Sequence, residues 1–191
     1  MGILSMTGSV NGTEVVPYSP QEKWLLRYED GTSESVVIHD GEQFHIPWRL
    51  CPIATLSQEI VSDREQIFQI GIGADWFWEC RLNGRTVADF WTVGNQTTPI
   101  RKGNHIVQLP VKRGRNLLEI KVKAGFAGWR IAVGSLPLDY DVRQEAFKDM
   151  LEIAKQPEDN CFQKLLPADF FQKIGNGTFS RDICPPASDR N

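Results

Sequence analysis

The chain reads as mainly β: an antiparallel β-sandwich or jelly roll with a C-terminal amphipathic helix and an irregular tail. Three features carry that reading. Apolar and polar residues alternate through most of the stretch from Phe68 to Gly134, which sends one set of side chains to one face of each strand. Turn residues break the alternation about every eight to twelve residues, the rhythm of a sandwich rather than of strands alternating with helices. Asn83-Gly84 stands between two runs of strand formers, a strong hairpin signal because a type I′ turn needs positive φ at both central positions.

Taken in order, residues 1–20 are rich in Gly, Ser, Thr and Pro without a period and are expected to be a flexible lead-in. Regular structure begins at Trp24-Leu25-Leu26-Arg27-Tyr28. Glu29-Asp30-Gly31 turns the chain into a strand with Val36 and Ile38 on one face. Asp40-Gly41 then closes a second hairpin onto a short strand near Phe44 to Trp48. Arg49 to Ala54 contains Pro52 and no clean alternation, which predicts a long connection crossing between sheets. Next, Phe68, Ile70 and Ile72 share a face, after which Trp76, Trp78, Cys80 and Leu82 point inward and Phe77, Glu79 and Arg81 outward. Val107, Leu109 and Val111 alternate ahead of the Lys112-Arg113-Gly114-Arg115 turn. Leu118, Ile120 and Val122 follow, and Trp129, Ile131 and Val133 end the pattern. The period changes at Leu138, where Asp139 or Asp141 caps a helix expected to reach Lys155, with Pro157 beyond it. Phe162, Leu165, Leu166, Phe170, Phe171 and Ile174 predict a second short helix in the 160–180 region, and 185–191 a loose end. The organisation is a lead-in at 1–20, a sandwich at 21–136 and a helical extension with a tail at 137–191.

With 191 residues, 41% of them hydrophobic, the chain is long enough for one sizeable core. A net charge of −3 from 21 basic and 24 acidic residues supplies no broad cationic field, so no nucleic acid partner is expected. No apolar run approaches the roughly 20 residues of a membrane span, and the first residues lack the basic and apolar regions of a signal peptide. Asn11-Gly12-Thr13, Asn95-Gln96-Thr97 and Asn176-Gly177-Thr178 match the glycosylation sequon, which points toward an extracellular or periplasmic protein. Cys51, Cys80, Cys161 and Cys184 are too widely spaced for a zinc ribbon. Cys80 is expected to be a buried free thiol, and Cys161 and Cys184 are the better disulfide candidates.

The residues nominate no catalytic group. His39, His45 and His105 lack metal-ligand spacing, and Gly-x-Ser-x-Gly is absent. Asp75 and Glu79 in an extended run stand about 13 Å apart, too far for a glycosidase carboxylate pair. No cofactor is expected; a structural calcium near Asp30 and Asp40 is the one metal reading, and no ligand ladder supports it.

The order Gly73-Ala74-Asp75 and Asn83-Gly84, then Gly94-Asn95, then Gly114-Arg115-Asn116-Leu117-Leu118, closing with Gly125 and Gly128-Trp129, resembles galactose-binding-like β-sandwich modules of the kind attached to bacterial carbohydrate-active enzymes. That resemblance implies a non-catalytic carbohydrate-binding or accessory module, with a glycan or polysaccharide as partner. Its motifs are mostly turn chemistry, so they describe a scaffold and name no ligand.

Six tryptophans suit sugar stacking, since a pyranose face packs on an indole while neighbouring polar groups take the hydroxyls. Trp76, Trp78 and Trp129 are expected in the core. Trp91, in a loop with Asn95 and Gln96, Phe126 between glycines, and Trp48 with Arg49 are the candidate ligand contacts. The alternative is a structural or protein-interaction domain that uses the C-terminal helix and Phe170-Phe171 to bind other domains or subunits. The basic turn at Lys112 to Arg115 reads as a solvated tip or as a contact for an acidic glycan.

Overall fold

The computed structural model describes residues 8–10, 13–125, 128–144 and 148. Phe126, Cys161, Cys184, Phe170-Phe171 and most of the expected C-terminal helix lie outside the described residues. Residues 142–144 are helical, and Asp141 Oδ1 accepts the Arg143 N–H at 2.9 Å.

Among the described residues, eleven strands form one largely antiparallel sheet that is curled on itself. They are β1 (Gly8–Val10), β2 (Thr13–Pro17), β3 (Lys23–Tyr28), β4 (Ser33–Val37), β5 (Gln43–His45), β6 (Ile53–Ser62), β7 (Gln66–Leu82), β8 (Arg85–Asp89), β9 (His105–Val111), β10 (Gly114–Ala124) and β11 (Arg130–Ser135). A short 3₁₀ turn, Lys102–Asn104, precedes β9.

The 17-residue strand β7 belongs to both halves of the sheet. Its first part, from Gln66 to Asp75, pairs with β2, β9 and β11, and β5 lies beyond β11. Its last part, from Trp76 to Leu82, pairs with β10 and β8, and β6, β3 and β4 continue outward from β10. The inner faces of both halves meet in one core: Phe68, Ile70 and Ile72 from the first part of β7 join Trp78 and Cys80 from the second, Leu109 from β9 and Ile120 from β10. Burial pushes the Cys80 thiol up to about 12, so it is an inert packing group.

Every second residue of β7 before the bend faces the core, and Gly71 and Gly73 lie between them. A Cβ at Gly71 would fall 2.2 Å from the Lys102 carbonyl oxygen, and one at Gly73 2.2 Å from that of Arg101. The segment before β9 therefore lies directly on β7's backbone, which buries this part of the strand on both faces.

The Asn83-Gly84 hairpin forms as expected, with φ of 52° and 76°. Several connections differ from the sequence reading. The lead-in contains β1 and β2, and β2 runs parallel to β7, where Tyr18 just beyond it stacks on Phe68 with centroids 4.4 Å apart. The connection after Arg49 crosses between the halves as expected, from β5 to β6, but it is short because β6 begins at Ile53; the inward set of β6 includes Gln58 and Ser62, which hides the apolar alternation. Asp40-Gly41 closes no hairpin, because β5 pairs with β11 rather than with β4. The basic turn after Val111 is likewise a crossover, since β9 pairs with β7 in one half and β10 with β6 and β7 in the other. Asn116 fastens that corner: its Oδ1 accepts Lys112 N–H and Asn83 Nδ2, and its Nδ2 donates to the Lys112 carbonyl.

Candidate functional site

The bend of β7 sets two neighbouring residues to different tasks. Asp75 ends the first half of the strand, and Trp76 begins the second. Arg130, the first residue of β11, stands opposite Asp75 in register. Its Nε and Nη2 donate to Asp75 Oδ2 at 3.3 and 2.9 Å. The Asp75 side chain is 6% exposed and that of Arg130 31%, so a buried carboxylate holds a guanidinium whose other edge reaches solvent.

Gly125, just after β10, and Gly128, ahead of β11, lie directly against this pair. Gly125 N–H donates to the Gly128 carbonyl at 3.2 Å. A Cβ at Gly125 would lie 2.7 Å from Asp75 Oδ1, and one at Gly128 2.9 Å from Oδ2. A side chain at either position strikes the carboxylate.

Two open hollows flank Arg130. The first, about 430 Å³, is lined by Asp75, Trp76, Phe77, Thr98, Ile100 and Arg130. The second, about 420 Å³, is lined by His45, Pro47, Trp48, Trp129 and Arg130, among others. Trp48 is 63% exposed, and its ring centroid lies 5.9 Å from that of the buried Trp129. Trp129 Nε1 is buried without a hydrogen-bond partner among the described residues. On the other side the Trp76 indole covers Gly94, and Lys123 Nζ sits 5.5 Å from the Phe77 ring centroid. Among the described residues lining the hollows, Asp75 is the only carboxylate. The arrangement presents flat apolar surfaces beside a fixed fork of N–H donors, which suits a ring with one apolar face and hydroxyls at its edge.

The candidates from sequence are dispersed. Trp48 lines the second hollow, whereas Arg49 turns away: its guanidinium lies 4.7 Å from the Tyr28 ring centroid and 3.8 Å from Glu34 Oε1. Trp91 lines neither hollow; its backbone N–H donates to Asp89 Oδ1, and Lys121 Nζ lies 5.0 Å from its ring centroid. Gln96 is exposed in the left-handed region with φ 61°.

Asn95 is an interior staple, 0% exposed. Its Oδ1 accepts Ala74 N–H and Trp78 Nε1, and its Nδ2 donates to the Thr97 carbonyl and to Asn104 Oδ1. The Asn95 backbone carbonyl accepts His105 Nε2 at 2.7 Å. No polar atom of this amide is left for a ligand.

Asp75, Trp76, Phe77 and Arg130 were not sequence candidates. Asp75 enters the sequence reading as half of an acid/base pair and within the Gly73-Ala74-Asp75 motif, and Trp76, expected in the core, is half-buried at the rim. The signal available was the pair of glycines at 125 and 128 next to an arginine that opens a strand.

No family model matches the chain, and no curated protein matches it. Among solved structures, a β-glucosidase from Kluyveromyces marxianus in complex with glucose overlaps 69% of this chain with a TM-score of 0.41 and 14% identity. A GH31 α-xylosidase from Xanthomonas citri overlaps 63% with a TM-score of 0.39 and 12% identity. The chain spans only 17% and 16% of those two enzymes.

Proposed function

We propose that the chain is a non-catalytic carbohydrate-binding or accessory module, of the galactose-binding-like jelly-roll kind, that binds sugar at the rim around Arg130. The observation that carries this reading is the Asp75–Arg130 pair set between two aromatic-lined hollows. Asp75 fixes the guanidinium before ligand arrives, so little side-chain freedom is lost on binding. The exposed edge of Arg130 meets hydroxyl oxygens, and Trp48, Trp76 and Phe77 provide the stacking surfaces. Shallow sites desolvate few atoms, so individual affinity is low, and tethering to a larger protein raises the effective strength.

The rival reading, a protein-interaction domain, draws on the exposure of Leu50 and Trp48 side by side on one segment. Affinity electrophoresis through gels containing soluble xylan, glucan or galactan separates the two. Wild type and Trp91→Ala should be retarded, while Arg130→Gln and Trp48→Ala run close to the sugar-free mobility. Equal retardation of all four removes the Arg130 rim as the site. A wild type unaffected by every polysaccharide favours the interaction domain.

A further inference from the structure

We infer that the two hollows are successive subsites for one glycan chain, occupied by neighbouring sugar residues with Arg130 between them; this rests on the carbohydrate reading above. The hollows are nearly equal, about 430 and 420 Å³, each within the size range that accommodates a small ligand. Each has its own aromatic surface, Trp76 with Phe77 in one and Trp48 in the other, so each can stack one ring. The side chain common to both is Arg130.

The orientation of that side chain favours one ligand over two. Asp75 takes Nε and one N–H of Nη2 through a single oxygen. Nη1 has no acceptor among the described residues. One planar donor group, borders two cavities, and donors fixed in one plane match oxygens carried on adjoining residues of a chain. Two separate monosaccharides would instead compete for the same guanidinium edge. Internal recognition of a polymer follows, with the smallest fully bound unit a disaccharide.

Isothermal titration with gluco-, xylo- and galacto-oligosaccharides of one to about six residues tests this. Affinity should rise about tenfold or more from the monosaccharide to the disaccharide, the gain of a second occupied subsite, at one chain per protein molecule. Trp48→Ala should flatten that rise, while Arg130→Gln weakens every length. Trp48 is largely exposed, and an unchanged circular-dichroism melt confirms that its variant is folded. A monosaccharide bound as tightly as the hexasaccharide, or two ligands per protein, overturns the two-subsite inference and leaves the binding function standing. No binding at any length, by wild type of confirmed fold, overturns the function and the inference together.

Discussion

Asn95 and Arg130 are both polar groups placed against indole rings near the bend of β7, and they do opposite work. Asn95 is sealed: Ala74 and Trp78 saturate its oxygen, Thr97 and Asn104 take its nitrogen, and His105 bonds to its carbonyl. Arg130 spends one edge on Asp75 and leaves the rest at a surface lined by Trp48 and Trp76. An aromatic next to an amide or guanidinium is therefore no sign of a ligand site by itself. What separates a staple from a site is whether the donors and acceptors already have partners.

The contrast breaks most visibly at Asn95. Asn95→Ala strands the Ala74 N–H and the Trp78 Nε1–H in the interior, and unsatisfied buried groups cost about 1–3 kcal/mol each. The expected loss is about 3 kcal/mol or more, read from a urea titration in which the midpoint falls and the slope is unchanged. A loss below about 1 kcal/mol would make Asn95 no more structural than a surface amide. At the open corner, Asp75→Asn keeps the shape but removes the carboxylate. Because about a third of the Arg130 side chain is solvated, the expected cost is smaller, about 1–2 kcal/mol, accompanied by loss of polysaccharide retardation. Full retardation with that variant would mean Arg130 needs no fixing.

Acid should weaken the sealed region selectively. The His105 ring lies 4.1 Å from Phe90 and 5.3 Å from Trp78 between centroids. Burial pushes its pKa below the ordinary 6.5, against the pull of the Asn95 carbonyl. Protons then bind the unfolded chain better, so the stability held by the neutral ring is complete above 6.5 and is lost as pH falls through the depressed value. Denaturation midpoints taken from about pH 7.5 down to about pH 5 should fall, and His105→Gln should flatten the slope. His39 has the opposite sign: its hydrogen bond to Glu22 raises its pKa above 6.5, so its contribution is present below 6.5 and lost as pH rises through the raised value. That pair is exposed and salt-screened, so His39→Gln should leave the acid slope intact. An acid slope that His105→Gln does not change would place the titrating group elsewhere.

The parts legible in the sequence are those whose cause is local. Alternation located β7, β9, β10 and β11, and Asn83-Gly84 located a hairpin whose positive φ values depend on two adjacent residues. Pairing across the sheet was not legible. Asp40-Gly41 and the basic turn after Val111 look like hairpin closures, yet each carries the chain between halves, because partner choice is set by packing of strands far apart in sequence. The same limit hid the site. Asp75 and Arg130 are 55 positions apart and meet only through the pairing of β7 with β11. Asn95 misled for the converse reason: its loop composition suits a ligand contact and its sequon a glycan, whereas its burial and four side-chain partners leave room for neither.

The smallest effect on stability should come from Trp48, and it sharpens the comparison because Trp78 provides the buried counterpart. Trp78 is 0% exposed, stacks on Phe90 with centroids 4.6 Å apart and donates to Asn95; replacing it by alanine should cost about 3–5 kcal/mol. Trp48 has most of its surface in water already. Its tilted contact with Trp129 recovers only part of what a buried aromatic pair contributes, about 0.5–1.5 kcal/mol. Trp48→Ala should therefore stay within about 0.5 kcal/mol of wild type, a shift of under about 2 °C for a domain of this size, while removing polysaccharide retardation. A ring that costs little to lose from the fold and much to lose from binding is there for a ligand. If Trp48→Ala instead melts as early as Trp78→Ala, the ring belongs to the core and the second hollow loses its stacking surface.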